Sequence, residues 1–159
     1  MSGCVIFRFI FSSMLSSVKR TLAAHLPSQC RICHAWPTET LCQACLDEFA
    51  RPRHRCATCA LILSQGAMRC GACLRRPGLL HECRAAVSYE FPWTRIILDF
   101  KFESEPALAR ALGDLMLAQQ DIRRMVESAS ALVPVPLSPA RLCERGYNQA
   151  MWLCRALSV

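Results

Sequence analysis

Eight cysteines in the first half of the chain form four Cys-x-x-Cys pairs, and this pattern constrains the fold more than any other feature. The pairs are Cys30/Cys33, Cys42/Cys45, Cys56/Cys59 and Cys70/Cys73. Two intervening residues allow a tight turn that points both sulfurs at one ion, and two such turns supply the four thiolates of a closed zinc site. The spacing therefore predicts two structural Zn²⁺ ions held by these eight cysteines.

Two ways of sharing the metals fit the spacing. The intervals between the pairs are eight, ten and ten residues, which suit short hairpins. Because short loops close at the lowest entropic cost, we expect two sequential ribbons, one metal within 30–45 and the other within 56–73. A cross-braced arrangement, in which the first and third pairs share a metal, has the same spacing and stays open.

Other uses of paired cysteines fit the pattern less well. A disulfide-rich secreted module has little reason to repeat a two-residue gap four times. Iron-sulfur proteins crowd three cysteines into one run, which this chain does not do. A closed Cys4 site has no open position for water, so we expect the metal to stabilise the fold and to perform no chemistry.

Composition limits the remaining choices. The chain has 159 residues, a formal charge of +7 and twelve cysteines. Eight thiolates and two Zn²⁺ contribute −8 + 4 = −4, so the loaded chain lies near +3. We expect the arginines between 28 and 83 to neutralise the anionic metal centres. An alternative is that the excess positive charge around Arg51, Arg53 and Arg55 contacts phosphate. The lone Cys4, Cys83, Cys143 and Cys154 indicate a reducing compartment, here the cytoplasm.

We expect residues 1–27 to form an N-terminal extension and a short amphipathic helix. Its apolar run, 4–11, is interrupted by Arg8, lacks a basic leader and is far too short to span a membrane. From Met14 onward, apolar residues recur at helical spacing, and the natural start is either Met1 or Met14. We expect the double zinc ribbon to occupy 28–83, with a boundary between Pro77 and Cys83.

A second domain is predicted over 84–159. The segment 84–90 has the pattern of a strand, and 94–102 that of a short helix or a strand. Ser104 is placed to cap a helix that buries Leu108, Leu112, Leu115 and Met116. After a polar stretch, 119–130, the run 131–135 has the length of a buried strand, and its prolines restrict it to an edge.

A loop over 136–148 then leads into a helix with Ala150, Leu153, Cys154 and Leu157 on one side, capped by Asn148. Arg141, Arg145 and Gly146 precede this helix. A helix N-terminus with two arginines and a permissive glycine suits a phosphate or pyrophosphate. The alternative is that the arginines pair with Glu144 or solvent. Lys101 is a further candidate, although its stem can simply cover apolar surface.

Several motifs together resemble a known family, the ComF competence proteins. They are the four cysteine pairs, Tyr89-x-x-Pro92-Trp93, Asp99-Phe-Lys101-Phe, Pro106-Ala-Leu-Ala, Val133-Pro-Val-Pro-Leu137 and Arg145-Gly-Tyr-Asn-Gln149. ComF proteins join a double zinc ribbon to a type I phosphoribosyltransferase-like domain. The resemblance runs from about Met14 to the last residue. It implies a small zinc-ribbon module followed by an incomplete α/β domain, and a role in DNA uptake and natural transformation.

The resemblance also implies ligands. In phosphoribosyltransferases the loop after an early strand helps to bind the pyrophosphate of phosphoribosyl pyrophosphate (PRPP), which favours Lys101, Arg141, Arg145, Gly146 and Asn148 as phosphate-binding candidates. The family's acidic pair and Thr-Thr-Gly-like loop do not occur before Val159. We therefore expect this chain to be truncated and inactive alone, with Mg²⁺ and PRPP binding only to a full-length protein. An alternative function is a zinc-ribbon module that binds single-stranded DNA or a competence helicase.

Overall fold

The computed structural model describes residues 28–103, 105 and 107–158. The helix predicted between 14 and 26 lies outside the described residues. Seven helices occur in the described part of the chain. They are α1 Gln43–Phe49, α2 Gly71–Arg75, α3 Trp93–Phe102, α4 Leu108–Ala118, α5 Gln120–Ser128, α6 Pro139–Arg145 and α7 Gln149–Leu157. None of these helices is long and apolar enough to cross a membrane.

Two short modules built in the same way form the N-terminal half, which we call ribbon 1 (28–50) and ribbon 2 (51–83). Each contains one isolated antiparallel bridge, Ser28 with Thr38 in ribbon 1 and Arg55 with Ile62 in ribbon 2. Each continues into a short helix, α1 or α2. The predicted ribbons thus consist of turns, single bridges and a closing helix, because intervals of eight to ten residues leave room for little more.

Helices α3, α4 and α7 form the C-terminal half around a shared core. The pattern over 94–102 is resolved as a helix, with Trp93, Ile96 and Phe100 buried. The N-cap of α4 is Ala107, not Ser104. The helix buries Leu108, Leu112 and Leu115 as predicted, whereas Met116 is only half-buried. Helices α4 and α7 approach closely, since a Cβ added at Gly113 would lie 2.7 Å from the Cβ of Ala156.

Ribbon 1 contributes to this core. Leu41 and Ala50 are buried in one cluster with residues of α3 and α4. Two hydrogen bonds join the same parts: Trp93 Nε1 donates to the carbonyl oxygen of Phe49, and the Gln119 amide donates to that of Ala50. An ion pair between Arg31 and Glu105, at 2.6 Å, lies beside them. Ribbon 1 therefore packs as part of the helical body.

The two predicted strands, 84–90 and 131–135, are not strands in the described structure. Both segments are irregular or extended, and Val133 and Val135 are 84% and 75% exposed. An extended segment becomes a strand only when a neighbour completes its hydrogen-bond ladder, and no described segment pairs with either one. The proline at 134 removes a further donor. The α/β character predicted for this half is therefore not confirmed.

Two helices were absent from the sequence-based expectation. The stretch 119–130 contains α5, whose Ile122 is buried; Ile122, Met125 and Val126 have the spacing of one helical face. The predicted loop contains α6, which Ser138 caps by accepting a hydrogen bond from Arg141 N and which has proline at its first position. A capping serine followed by proline is a start signal that identifies such a helix.

Candidate metal centres

The eight paired cysteines converge into two groups of four. Within each group the sulfur atoms all lie within 4.8 Å of one another. The groups are Cys30, Cys33, Cys42 and Cys45, and Cys56, Cys59, Cys70 and Cys73. Each group comes from two consecutive pairs, so the arrangement is sequential and not cross-braced. All eight are free thiols.

The sulfur separations suit a tetrahedral ion. Sγ of Cys30 and Cys45 lie 3.8 Å apart, and Sγ of Cys33 and Cys42 lie 3.6 Å apart. Cys59 and Cys70 in the second group are separated by 3.8 Å. Four thiolates at about 2.3 Å from Zn²⁺ in a regular tetrahedron stand roughly 3.8 Å from one another, whereas a disulfide needs about 2.05 Å. Both groups could hold a zinc ion.

The first turn of each centre has the same backbone shape. In ribbon 1, His34 N donates to Cys30 O, and in ribbon 2, Ala60 N donates to Cys56 O, both four residues along. His34 and Ala60 both have φ of 60°, the left-handed conformation that closes such a turn. The same turn thus occurs at a histidine and at an alanine, each directly after the second cysteine of its pair.

The second turn of each centre lies at a helix N-terminus. Cys42 is the N-cap of α1 and Cys70 the N-cap of α2, where the Cys70 sulfur accepts a hydrogen bond from Cys73 N. The first sulfur of each centre also accepts backbone N–H groups: Cys42 N donates to Cys30 Sγ at 3.5 Å, and Cys70 N to Cys56 Sγ at 3.3 Å. These donors stabilise thiolates. The sequence did not predict this placement on helices.

The thiol pKa values follow from this geometry. Burial raises the pKa of Cys30, but backbone donors from Cys42, Cys33 and Ile32 lower it overall to about 6. The backbone N–H of Cys70 is the main cause that lowers the pKa of Cys56 to about 6. Crowding by the Cys70 and Cys59 sulfurs raises the pKa of Cys73 to about 12. Each group thus combines thiols whose pKa is lowered with thiols whose pKa is raised, and a bound divalent cation would stabilise all four as thiolates.

The residues predicted to bind phosphate are tied into the fold in different ways. Gly146 ends α6 in the left-handed conformation, with φ of 74°. Asn148 caps α7 by accepting from Met151 N, and its amide nitrogen donates to Val135 O. Both therefore have contacts within the fold, and their phosphate-binding role stays a prediction.

The three cationic candidates lie on helices. Lys101, in the last turn of α3, is partly exposed, and its carbonyl oxygen accepts a hydrogen bond from the Gln149 amide. Arg141 is exposed on α6. The Arg145 guanidinium lies over the Phe102 ring, 4.9 Å from its centroid, and donates to Gln149 Oε1 at 3.3 Å. Neither Arg141 nor Arg145 pairs with Glu144 in the described structure.

Tyr147 and Gln149 connect α7 to the end of α3. The Tyr147 hydroxyl donates to Phe100 O, and the ring packs against the Phe100 ring at 5.9 Å. Gln149 is buried and donates to Lys101 O. The motif Arg-Gly-Tyr-Asn-Gln therefore joins three segments, 100–102, 135 and 149–151. Little in the sequence indicated this connecting role, because a polar residue such as Gln149 at the start of a helix is usually exposed.

Two Cys4 groups that could hold zinc, one in the ribbon that packs into the helical core and one in the next ribbon, place the chain among proteins with ribbon-type zinc modules. Competence protein F of Haemophilus influenzae is 32% identical over 121 residues, which are 74% of this chain and 52% of that protein. DNA utilization protein YhgH of Escherichia coli is 29% identical over 121 residues, 74% of this chain and 53% of that protein. The chain is a homologue of these proteins, and the resemblance to the ComF family is confirmed.

The matches extend over most of this chain and part of its relatives. YhgH of Salmonella typhimurium is 26% identical over 139 residues, 84% of this chain and 61% of that protein. The chain spans about half the length of the first curated relatives it matches. No protein-family profile matches it. No solved structure matches it.

Proposed function

We propose that this protein is a zinc-binding factor, related to the phosphoribosyltransferases, that acts in DNA uptake or utilisation in the cytoplasm. The observations that carry the proposal are its 32% identity to competence protein F over 74% of this chain and the two groups of four cysteines. The names of the relatives describe the use of DNA. Zinc in this proposal is structural, because four thiolates occupy every position of a tetrahedral ion.

The metal ligands and the process can be tested together. Deletion of the gene is expected to lower transformation frequency, and the wild-type gene to restore it. The Cys30→Ser variant should fail to restore it and should contain less zinc. Cys143→Ser is the matched control, because Cys143 is exposed and lies outside both groups. Normal transformation and normal growth on DNA without the gene would contradict the proposed role.

The relation to phosphoribosyltransferases rests on sequence motifs. The extended run 131–136, followed by Arg145-Gly-Tyr-Asn-Gln149, has the order of a strand end and a pyrophosphate loop in that fold. The proposed phosphate-binding residues are Lys101, Arg141, Arg145, Gly146 and Asn148, the last two of which follow the arginines in the chain. No Asp-Asp pair occurs in the 159 residues, so we propose that this chain does not transfer phosphoribosyl groups by itself.

Calorimetric titration with PRPP and Mg²⁺ tests this part. The protein is compared with a version extended by the second half of one of the longer relatives. We expect binding by the extended protein, and weaker binding after Arg141→Gln. Arg110→Gln serves as the control, because Arg110 is exposed on α4 near only Asp114. If the extended protein does not bind PRPP, the proposed phosphate-binding residues do not form a PRPP site.

A second candidate function is an interaction module for single-stranded DNA or a helicase-like partner. The observation that favours it is Trp36, which is 64% exposed on ribbon 1 and offers a stacking surface for a base. Removing 84–159 would not test it cleanly, because Leu41 and Ala50 are buried against α3 and α4. The test is salt-dependent binding of oligothymidine by the whole protein, with Trp36→Ala compared with the similarly exposed Tyr89→Ala. Equal binding by both variants would exclude stacking on Trp36.

A further inference from the structure

Between ribbon 2 and the start of α5 lies a cleft of about 280 Å³. The basic side chains that line it are Arg53, His54, Arg55 and Arg84, and Asp121 is the one acidic residue in its lining. This volume is just below the roughly 300 Å³ at which small-molecule pockets usually begin. The cleft therefore suits one small anionic group.

The surrounding charge also favours an anion. Ribbon 2 contains six arginines (Arg51, Arg53, Arg55, Arg69, Arg75 and Arg76) and one acidic residue, Glu82. A loaded Cys4 centre contributes −4 + 2 = −2, so ribbon 2 carries +6 − 1 − 2 = +3. By the same arithmetic, residues 28–49 carry one arginine, three acids and a centre of −2, which gives −4. The two ribbons share a backbone plan and have opposite charge.

The acidic residue in the cleft is paired with an arginine that also contacts a second carboxylate. Arg84 Nε lies 3.1 Å from a carboxylate oxygen of Asp121, and another nitrogen of Arg84 contacts Glu82. Arg84 is 25% exposed but Asp121 is 64% exposed, so solvent screens the negative charge that Asp121 presents. An incoming anion therefore meets a paired Asp121 and the basic side chains on the ribbon side of the cleft.

Of the basic side chains on the ribbon side of the cleft, Arg55 and His54 are fixed by hydrogen bonds, and Arg53 is exposed to solvent. The Arg55 guanidinium donates to Ala60 O at 3.1 Å and to Ser88 Oγ at 2.9 Å, which uses two of its five N–H donors. His54 Nε2 contacts Ala67 O at 2.7 Å. Arg53 is exposed and forms no ion pair with any described residue. Preorganised guanidinium groups are the usual ligands of phosphate.

We propose that this cleft binds a phosphate group, carried either by a nucleic-acid strand or by a free nucleotide. No Phe, Tyr or Trp, the usual stacking platforms for a base, lines the cleft, and its guanidinium groups favour contact with phosphate. Binding is accordingly independent of base sequence. For a strand, the inference rests on the nucleic-acid-binding candidate function and assigns it a backbone contact on ribbon 2, separate from Trp36 on ribbon 1.

The test uses the whole zinc-loaded protein and two fluorescent probes, an oligothymidine strand and a labelled mononucleotide, with anisotropy as the readout. Arg53→Gln removes the available cation in the cleft. Arg76→Gln is the matched control, because it removes the same charge from an exposed site on ribbon 2 outside the cleft. Zinc content and circular dichroism of each variant verify the fold.

We expect Arg53→Gln to weaken binding about tenfold and Arg76→Gln to change it by less than about threefold. If the strand is the ligand, the slope of log affinity against log salt falls by about 0.7 in Arg53→Gln, the contribution of one phosphate on a single strand. If the mononucleotide also binds, and Arg53→Gln weakens its binding as much as that of the strand, the cleft is a nucleotide site. Strand binding with equal affinity in both variants overturns the cleft site and leaves the DNA-binding candidate intact. Binding of neither probe by the wild type overturns both.

Discussion

The indole Nε1 of Trp93 donates a hydrogen bond to the carbonyl oxygen of Phe49 at 2.9 Å. Phe49 is the last residue of α1, which carries the ligand candidate Cys45, and Trp93 is the first residue of α3. The indole is 1% exposed. This one contact joins the end of ribbon 1 to the core of the helical half, so the first metal centre and the helices stabilise each other.

Replacing Trp93 with phenylalanine tests that connection. An aromatic ring is retained, but the carbonyl oxygen of Phe49 loses its part-buried donor, which costs about 1–3 kcal/mol of unfolding free energy. Urea denaturation of the zinc-loaded protein measures the change. Trp152→Phe is the control, because Trp152 is 38% exposed and we expect a change below about 0.5 kcal/mol. Equal loss in both variants would show that the hydrogen bond contributes nothing.

The two metal centres are expected to differ in their effect on the helical half. Cys30→Ser and Cys56→Ser change equivalent positions of the two ribbons. Loss of the first metal frees Leu41 and Ala50 from the shared core, which costs about 2–5 kcal/mol by analogy with large-to-small core substitutions. Ribbon 2 contributes no residue to the buried cluster, so loss of the second metal should leave α3 and α4 nearly unchanged.

Hydrogen exchange of the backbone amides in α3 and α4 distinguishes these outcomes. Protection should fall in Cys30→Ser and persist in Cys56→Ser, while the amides around Cys70 lose protection only in Cys56→Ser. The same loss of α3 protection in both variants would mean that the two ribbons are equally part of the core.

Zinc binding should release protons near neutral pH. Crowding by neighbouring sulfurs raises the pKa of Cys73 to about 12, and burial raises the pKa of Cys45, so both thiols are protonated at pH 7 without metal. Zinc binds thiolates, so these protons must leave. Affinity therefore falls as pH falls, about tenfold per unit for each proton released. Below about pH 6, protonation of Cys30 and Cys56 steepens the loss, because their pKa values are lowered to about 6.

An indicator dye in weak buffer measures this release during a zinc titration. The double variant Cys30→Ser/Cys56→Ser is the control, since it binds zinc weakly and should release fewer protons. Stoichiometric zinc binding at pH 7 without acidification would contradict the expected protonation of Cys45 and Cys73.

Asn148 combines two roles that separate substitutions can distinguish. Its oxygen caps α7 by accepting from Met151 N at 3.1 Å, and its nitrogen donates to Val135 O at 3.1 Å. Asn148→Ala removes both and should cost about 1 kcal/mol or more. Asn148→Asp keeps the cap and removes only the donor to Val135. The Met151 amide should stay protected from exchange in Asn148→Asp and not in Asn148→Ala; equal loss would mean that Asn148 does not cap α7.

The C-terminal half shows where sequence patterns were informative. The spacing of Leu108, Leu112 and Leu115 predicted the buried face of α4, and Asn148 predicted the start of α7. The strands were not predictable in the same way. An apolar run such as 131–135 indicates only that extended backbone is favoured. Whether it forms a strand depends on a pairing partner elsewhere in the chain.

The sequence alone predicted the eight candidate metal ligands, because a repeated two-residue gap brings two sulfurs to one ion. It left two ways of grouping them open, and the structure decided that consecutive pairs come together. Only the tertiary structure decided that ribbon 1 belongs to the helical core and that ribbon 2 faces a cleft lined by arginines. The physical reason is distance along the chain. Ligand spacing acts over a few residues, whereas the contact between Phe49 and Trp93 joins residues 44 positions apart, which no local pattern encodes.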